Sequence, residues 1–445
     1  ILNLDNKSQK LVQESLTGDD YLLRERLVLE MAKNGKYIRR EHPPIDLPTL
    51  LTKPTTAKDI ENYERFSNFW ISVYNVCTEI ENALGNNAGQ AWERVGGLLF
   101  RSIKEFSMLS YTDFLIDNIE DFVKNKNEKV VITLEMTLGA AISDHINKNT
   151  NESETDSEEE SESEETNTKN KEFYRDSKPL LWQERFYPLI NKLLGDEALE
   201  KIFKRKKEHI PHFANKRQEL LNLIPTLPEF EISPIDKIIR ELKKRGIEAG
   251  ELSGRNYCQT QDGNDFVVKN RVKEERVFTV KRFNSGEFDV IFVTLAGCSG
   301  ISLHAGAKFK DQRVRNLIEL DITANTASRI QFLGRVRRKD QVVEPNLWTA
   351  HSDTLANIRL IENENRKRKK LAAHTGSITL DRTLGVISTF GENITEEWAN
   401  YFPDYAKMVG SLYRDVYSPY KRVNKTLARS VLLPYGLQEI LKNML

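Results

Sequence analysis

Three arginines lie within four residues at the end of an apolar, helix-like run, at Arg335, Arg337 and Arg338. Arg335 and Arg338 are three positions apart, so on a helix they project from one face while Arg337 points elsewhere. A guanidinium is permanently charged and presents planar, forked donors that suit a phosphate chain. In phosphoryl transfer such an arginine stabilises charge on the γ-phosphate. The spacing indicates phosphate chemistry, with a solvated helix end or a nucleic-acid patch as alternatives.

A second stretch, "AGCSGISLHAG", is rich in small residues and follows the strand-like run "FDVIFVTL". Small side chains let a ligand or another backbone approach closely, and amides at the next helix start can hold a phosphate. A tight turn explains the stretch equally well. His304, within it, is expected to be packed rather than to act as a base.

The elements that must position these residues alternate between helices and strands. A helix over 234–245 precedes the strand-like "IEAGELSG", a helix-like "EERVFTVKRFNSG" and the strand-like 288–295, and the strand-like "NLIELD" comes just before the arginines. This alternation predicts an α/β fold with a parallel sheet and helices on both faces. Functional loops should lie at the carboxyl ends of the strands.

Composition narrows the class of protein. The chain has 445 residues and a net charge of zero, from 66 basic and 66 acidic residues, so no global field draws it to nucleic acid or membrane. Its three cysteines are far apart, which argues against a zinc site or a disulfide framework and fits a reducing compartment. We find neither a signal peptide nor an apolar run of membrane-spanning length, and therefore expect a cytoplasmic protein without a membrane partner.

The chain divides by sequence texture into three parts. Residues 1–125 are expected to form a helical module, 126–370 the α/β domain, and 371–445 a helical extension. An insertion at 140–230 interrupts the α/β domain and begins with an acidic, serine-rich tract at 149–170. That tract is predicted to be a disordered linker, or alternatively a mimic of nucleic-acid charge.

The ordered motifs resemble a known family. Gln331, Gly334, Arg335 and Arg338 form Q-x-x-G-R-x-x-R after "AGCSGISLHAG", an order that resembles motifs V and VI of superfamily 2 helicases. Strawberry notch-type helicases, particularly the bacterial and phage-borne members, are more similar still, because "KFKDQR", "VVITLEMTLGAA" and the segment 233–255 also resemble theirs. The resemblance implies the second RecA-like domain, of P-loop-NTPase type, of an ATP-dependent helicase or translocase.

It also implies roles for individual residues. Arg335 and Arg338 occupy arginine-finger positions, and Gln331, Gly334, Gly300 and Ser302 positions near the nucleotide. The residues on the nucleic-acid side would be Glu135, Met136, Thr137, Ser253, Gly254, Arg255, Thr294, Gly297 and Ser299. The chain departs from the bacterial pattern "GRVHRTGQ" at Arg337, Lys339 and Asp340.

Two motifs of such a motor are missing from the sequence. We find no P-loop, G-x-x-x-x-G-K-[ST], and no acidic pair for Mg²⁺; "GDEALEK" follows a helical pattern and not a buried strand. Because the chain begins with Ile, we expect a P-loop domain upstream, in the same chain or as a partner, that binds ATP and Mg²⁺. The chain alone is then expected to be inactive.

The expected partner is nucleic acid, with DNA favoured over RNA, and the basic run at 366–370 is a candidate for contacts to its backbone. A methyltransferase domain and a phage or mobile-element context are expected by analogy with relatives. The alternative function is a non-enzymatic nucleic-acid-binding or regulatory protein derived from an orphaned motor domain. A dinucleotide-dependent enzyme is disfavoured, because no G-x-G-x-x-G follows a strand.

Overall fold

The protein was analysed as a computed structural model. The structure describes residues 34, 48–85, 89–143, 145–146, 172–321, 326–338, 341–352, 354, 357 and 361. The acidic tract at 149–170, the basic run at 366–370 and the extension at 371–445 lie outside these residues, as do Lys339 and Asp340.

Six strands form one parallel sheet, in the order β1-β9-β8-β2-β7-β4. Their bounds are β1 Thr49–Lys53, β2 Lys129–Leu134, β4 Ala249–Leu252, β7 Val290–Thr294, β8 Arg315–Glu319 and β9 Asn346–Ser352. The central strands β2, β7 and β8 are buried at every position, β7 because it is β-branched and apolar, and β8 although three of its five residues are polar or charged. The predicted α/β fold is confirmed, and it is consistent with a RecA-like domain.

Nine α-helices, short turns and a second sheet complete the described part of the chain. The helices are α1 Ala57–Leu84, α2 Gly89–Glu120, α3 Phe186–Leu194, α4 Asp196–Ile202, α5 Ile210–Leu223, α6 Pro234–Lys244, α7 Arg276–Ser285, α8 Leu295–Cys298 and α9 Thr326–Val336. The second sheet is antiparallel and contains β3 Glu172–Asp176, β5 Tyr257–Asp262 and β6 Asp265–Asn270. The stretch "GDEALEK" lies on α4, so it is helical as predicted.

Two features differ from the sequence prediction. Residues 49–53, inside the segment expected to be helical, form the edge strand β1, which pairs with β9. The strand has only five residues and directly follows a proline-rich stretch, so hydrophobic periodicity does not reveal it. The hairpin of β5 and β6 was also not predicted, because β5 is largely polar; the Asp262–Gly263 pair where its two-residue turn begins is a hairpin signal that the sequence analysis missed.

The helical module and the sheet share one apolar core. The aromatic residues of α1 and α2 pack on Trp182 and Phe186 of the insertion, with Phe66 and Phe106 stacked at 4.6 Å between ring centroids. The same core continues into the buried side chains of β2 and β7. The module therefore packs directly against the sheet and shares its core. Among the described residues, no helix is both long and apolar enough to cross a membrane.

A buried charge cluster closes the amino-terminal edge of the sheet. Asp311 accepts from the ammonium of Lys129 at 3.1 Å and pairs with Arg313 and Arg315. Burial lowers the pKa of Lys129 to about 8 although Asp311 opposes this shift. "KFKDQR", which contains Asp311 and Arg313, is thus structural, on the opposite side of the sheet from the functional loops.

Candidate functional site

The two spaced arginines meet at one backbone carbonyl. The Nη1 of Arg335 lies 3.4 Å from the carbonyl oxygen of Ile301, and the Nη2 of Arg338 lies 3.2 Å from the same oxygen. Helix α9 ends at Val336, so Arg338 does not share a helix face with Arg335; the turn after the helix brings them together. Arg337 points elsewhere, as expected, with its Nε 3.9 Å from Glu344.

Arg335 retains an unused donor. Its Nε is buried and has no hydrogen-bond partner within the described part of the chain. A buried donor that belongs to a charged group is costly to leave unsatisfied. An acceptor oxygen, such as that of a phosphate, would satisfy this donor if a movement of the side chain exposed it.

An ion pair that the sequence analysis missed holds α9 in place. Arg329 donates to Glu319 of β8 at 2.6 and 2.5 Å and to the hydroxyl of Thr349 of β9 at 3.1 Å. Arg329 and Glu319 are each 3% exposed. An arginine within the apolar helical run was the available signal. The predicted nucleotide-side residues of α9 differ in exposure: Gln331 is exposed and Gly334 half-buried.

The small residues after β7 serve different purposes. A Cβ atom on Gly297 would lie 2.0 Å from the carbonyl oxygen of Leu252, so this glycine permits close contact between β4 and α8. Gly300 is exposed and adopts a φ of 72°, a left-handed conformation that favours glycine. Ser302 is half-buried and its carbonyl accepts from Asn284 at 3.0 Å. Of the two alternatives left open by the sequence, backbone packing explains Gly297.

Three predicted loops meet in one groove. They follow β2, β4 and β7, whose carboxyl ends share one edge of the sheet. The groove has a volume of about 420 Å³ and is lined by Glu135, Thr137, Gly139, Ala140, Ser143, Gly254, Arg255, Asn256, Thr294, Leu295 and Ala296. Five of the predicted nucleic-acid residues are in this lining: Glu135, Thr137, Gly254, Arg255 and Thr294. Met136, Ser253, Gly297 and Ser299 are not.

Arg255 lines the groove, but its guanidinium is turned into the protein. It donates to both carboxylate oxygens of Asp236, at 2.7 and 2.6 Å, and to both of Glu251, each at 2.7 Å. Burial acts to lower the pKa of Arg255, but the two carboxylates raise it well above its usual value. The arginine therefore stabilises the loop after β4 and does not offer its charge to a ligand.

A buried carboxylate orders the loop after β2. Asp321, just after β8, accepts from the backbone N–H of Glu135 at 2.7 Å and of Met136 at 3.0 Å. Burial raises the pKa of Asp321 to about 6, although Lys104 and these amides oppose the shift. Lys104 of α2 also pairs with Glu135 at 2.9 Å, so the helical module contacts the groove. The sequence analysis missed both residues.

His304 is 4% exposed and packs edge-on against Phe309, as predicted for a packed histidine. Within the described residues, no group of three or more His, Cys, Asp or Glu side chains is arranged to hold a metal ion.

Comparison with known proteins gives the family of this region. Residues 233–399 match the family described as the C-terminal domain on Strawberry notch homologue. Protein strawberry notch of Drosophila melanogaster is 28% identical over 178 residues, which cover 38% of this chain and 11% of the fly protein. Protein strawberry notch homolog 2 of Mus musculus is 26% identical over 198 residues, which cover 42% of this chain and 14% of the mouse protein. The chain thus carries a strawberry notch-like helicase C-terminal region, which confirms the resemblance seen in its motifs. The bacterial or phage origin stays a prediction.

Proposed function

We propose that this region is the second motor domain of an ATP-dependent translocase or helicase that acts on nucleic acid, most plausibly DNA. One observation supports the proposal above others. The segment 294–303 lines the groove at Thr294, Leu295 and Ala296, and a few residues later its Ile301 carbonyl accepts from both arginines. A change at the arginine pair would therefore be transmitted to the groove through one short segment.

In this proposal, Arg335 and Arg338 face the terminal phosphate of ATP, which a P-loop domain holds together with Mg²⁺. ATP supplies a phosphoanhydride whose hydrolysis drives movement. The arginines stabilise negative charge on the phosphate, and the orphaned Nε of Arg335 provides a donor for it. In the structure, the Ile301 carbonyl accepts from both guanidiniums.

The groove would bind the backbone of a nucleic-acid strand. Backbone amides, hydroxyls and small residues at the ends of parallel strands can contact phosphates and sugars without reading the base sequence. Thr137 and Gly254 have this character, and both line the groove.

DNA-stimulated ATP hydrolysis tests the proposal. The assay uses a protein in which these residues and a P-loop domain are in one chain, or this chain with a P-loop domain added to it. Arg335→Ala and Arg338→Ala should each lower turnover on the order of 10³-fold or more, as expected for loss of an arginine finger. Arg337→Ala is the matched control, because Arg337 faces Glu344, and it should keep near wild-type turnover. Full activity in both finger variants would refute the assignment. Nucleic-acid binding without any ATPase activity in the assembled protein would favour the non-enzymatic alternative.

A further inference from the structure

The groove raises a question of charge. Among its eleven lining residues Arg255 is the one cation, and both of its partners are buried carboxylates. A groove that binds a polyanion needs cations nearby, because phosphate neutralisation supplies most of the sequence-independent affinity for nucleic acid. Those cations must come from residues at its edge.

The segment 271–278 follows β6 and includes the first three residues of α7, and it places two cations at that edge. The ammonium of Lys273 lies 2.8 Å from the Oδ1 of Asn256 and 3.5 Å from the carbonyl oxygen of Gly254, and both of these residues line the groove. The guanidinium of Arg276 donates to the carbonyl oxygens of Ala296 at 3.0 Å and Ser299 at 2.9 Å. Both side chains reach the groove from outside every motif used above. We call this segment the rim segment.

The rim segment also exposes apolar side chains. Val272 is 82% exposed, Val277 68% and Phe278 54%. Six large apolar residues are exposed in the described part of the chain, at 38% or more, and three of them are in this eight-residue segment. Such clustering marks an interaction surface and not random surface composition.

A segment that carries both cations and an exposed aromatic ring matches the chemistry of single-stranded nucleic acid. A single strand presents phosphates together with unpaired base faces, which stack on aromatic side chains irrespective of sequence. The acidic neighbour Glu274 is turned away, because its carboxylate accepts from Arg282 at 3.2 Å and from Thr279 at 2.9 Å. Glu275, just before α7, is the other acidic residue of the segment.

We infer that the rim segment is a second contact site for single-stranded nucleic acid, in which Lys273 and Arg276 bind phosphates and Phe278 stacks on a base of the strand leaving the groove. This inference rests on the proposed function, since it extends the same groove. If the surface instead binds a protein with an apolar patch, Lys273→Gln and Phe278→Leu should leave the binding of single strands unchanged.

Binding of the full chain to fluorescein-labelled single-stranded and blunt duplex oligonucleotides, measured by fluorescence anisotropy over a salt series, tests the inference. Lys273→Gln should weaken single-strand binding and reduce the slope of log K against log salt by about 0.7, the value for one lost phosphate contact on a single strand. Lys281→Gln is the matched control, because Lys281 is exposed on α7 one turn beyond Val277, and it should leave the slope unchanged.

Phe278→Ala should weaken single-strand binding about five-fold or more, the low end for loss of one base–aromatic stack. Phe278→Leu should do the same, since leucine keeps the apolar character but not the ring. Duplex binding should be insensitive to both. If Phe278→Leu bound like the wild type, or if Lys273→Gln left the salt slope unchanged, the rim site would be disproved.

The variant Ala296→Glu, inside the groove, separates the two proposals. If it weakens binding while the rim variants do not, the groove stands and the rim site fails. If neither the groove variant nor the rim variants change binding, or if the chain binds no oligonucleotide, both fail.

Discussion

Replacement of Arg255 by glutamine tests whether this arginine holds the groove together or contacts the ligand itself. Four hydrogen bonds join its guanidinium to Asp236 and Glu251, all at 2.6–2.7 Å, and Arg255 is 6% exposed. Glutamine can replace few of them and leaves two carboxylates buried close together. Breaking a buried ion pair by removal of one partner costs about 3–5 kcal/mol. We expect Arg255→Gln to lower the free energy of unfolding by about that amount.

The pH dependence has a definite sign. In the wild type, burial acts to raise the pKa of Glu251, but hydrogen bonds from Arg255 lower it overall. Its stabilising contribution is therefore present above the unfolded pKa and is lost as the pH falls through the lower, folded value. In the variant, Glu251 loses the hydrogen bonds from Arg255, so the effect of burial remains and favours its protonated form. The difference in stability between wild type and variant should accordingly be largest at neutral pH and should shrink as the pH is lowered.

Urea unfolding followed by circular dichroism, at pH 7 and at pH 5, measures this difference. Arg217→Gln is the control: Arg217 pairs with Asp196 at 2.9 Å, and Asp196 is 78% exposed. Loss of such a surface pair should cost less than about 1 kcal/mol at either pH. The reasoning is refuted if Arg255→Gln is as stable as the control variant but no longer binds nucleic acid, since Arg255 would then contact the ligand directly.

Two further predictions use glycine contacts and the buried Asp321. Gly297→Ala should lower the melting temperature by several degrees or abolish folding, because the new Cβ would lie 2.0 Å from a backbone oxygen. Gly334→Ala is the comparison: among the described residues no neighbouring atom lies within 4 Å of its Cβ, so it should be as stable as the wild type or about 1 kcal/mol more stable. Equal melting temperatures of the two variants would contradict this. Asp321→Asn removes an acid whose pKa is raised to about 6 in the folded protein, so the stability of the wild type relative to the variant should fall as the pH rises from 4 to 7. Urea unfolding at pH 4.5 and pH 7 measures this change, and a relative stability that rises with pH would contradict the prediction.

The central elements of the parallel sheet could be predicted from sequence because β2, β7 and β8 each contain a short run of β-branched or other apolar residues. The predicted helix before "IEAGELSG" and the predicted strand 288–295 correspond to α6 and β7. Buried strands flanked by amphipathic helices leave a periodic signal that needs no tertiary information. The short strand β1 and the largely polar strand β5 leave no such periodicity, and the signal for the hairpin of β5 and β6 lies where its turn begins, at Asp262 and Gly263.

For the site, sequence could predict which loops come together but not which atoms are available. Periodicity and motif order place the loops after β2, β4 and β7 together, and the structure joins them in one groove. The same reasoning gave Arg255 a ligand contact, because a sequence does not reveal that Asp236 and Glu251 surround its guanidinium. It missed Asp321 and Arg329 for a related reason. Their partners lie 10 residues or more away and become neighbours only through folding.

The continuous core between the helical module and the sheet has a mechanical consequence. Because α1 and α2 are packed onto the sheet by buried aromatic residues, they must turn with it as one rigid body in the proposed motor, in which a cleft to the P-loop domain would open and close. Helix α1 has 28 residues and so is about 42 Å long. A rotation of roughly 10° would displace one end of a rod of that length by about 7 Å relative to the other. The long helices would thus act as a lever arm that amplifies a small closure near the nucleotide into a much larger displacement at a distance.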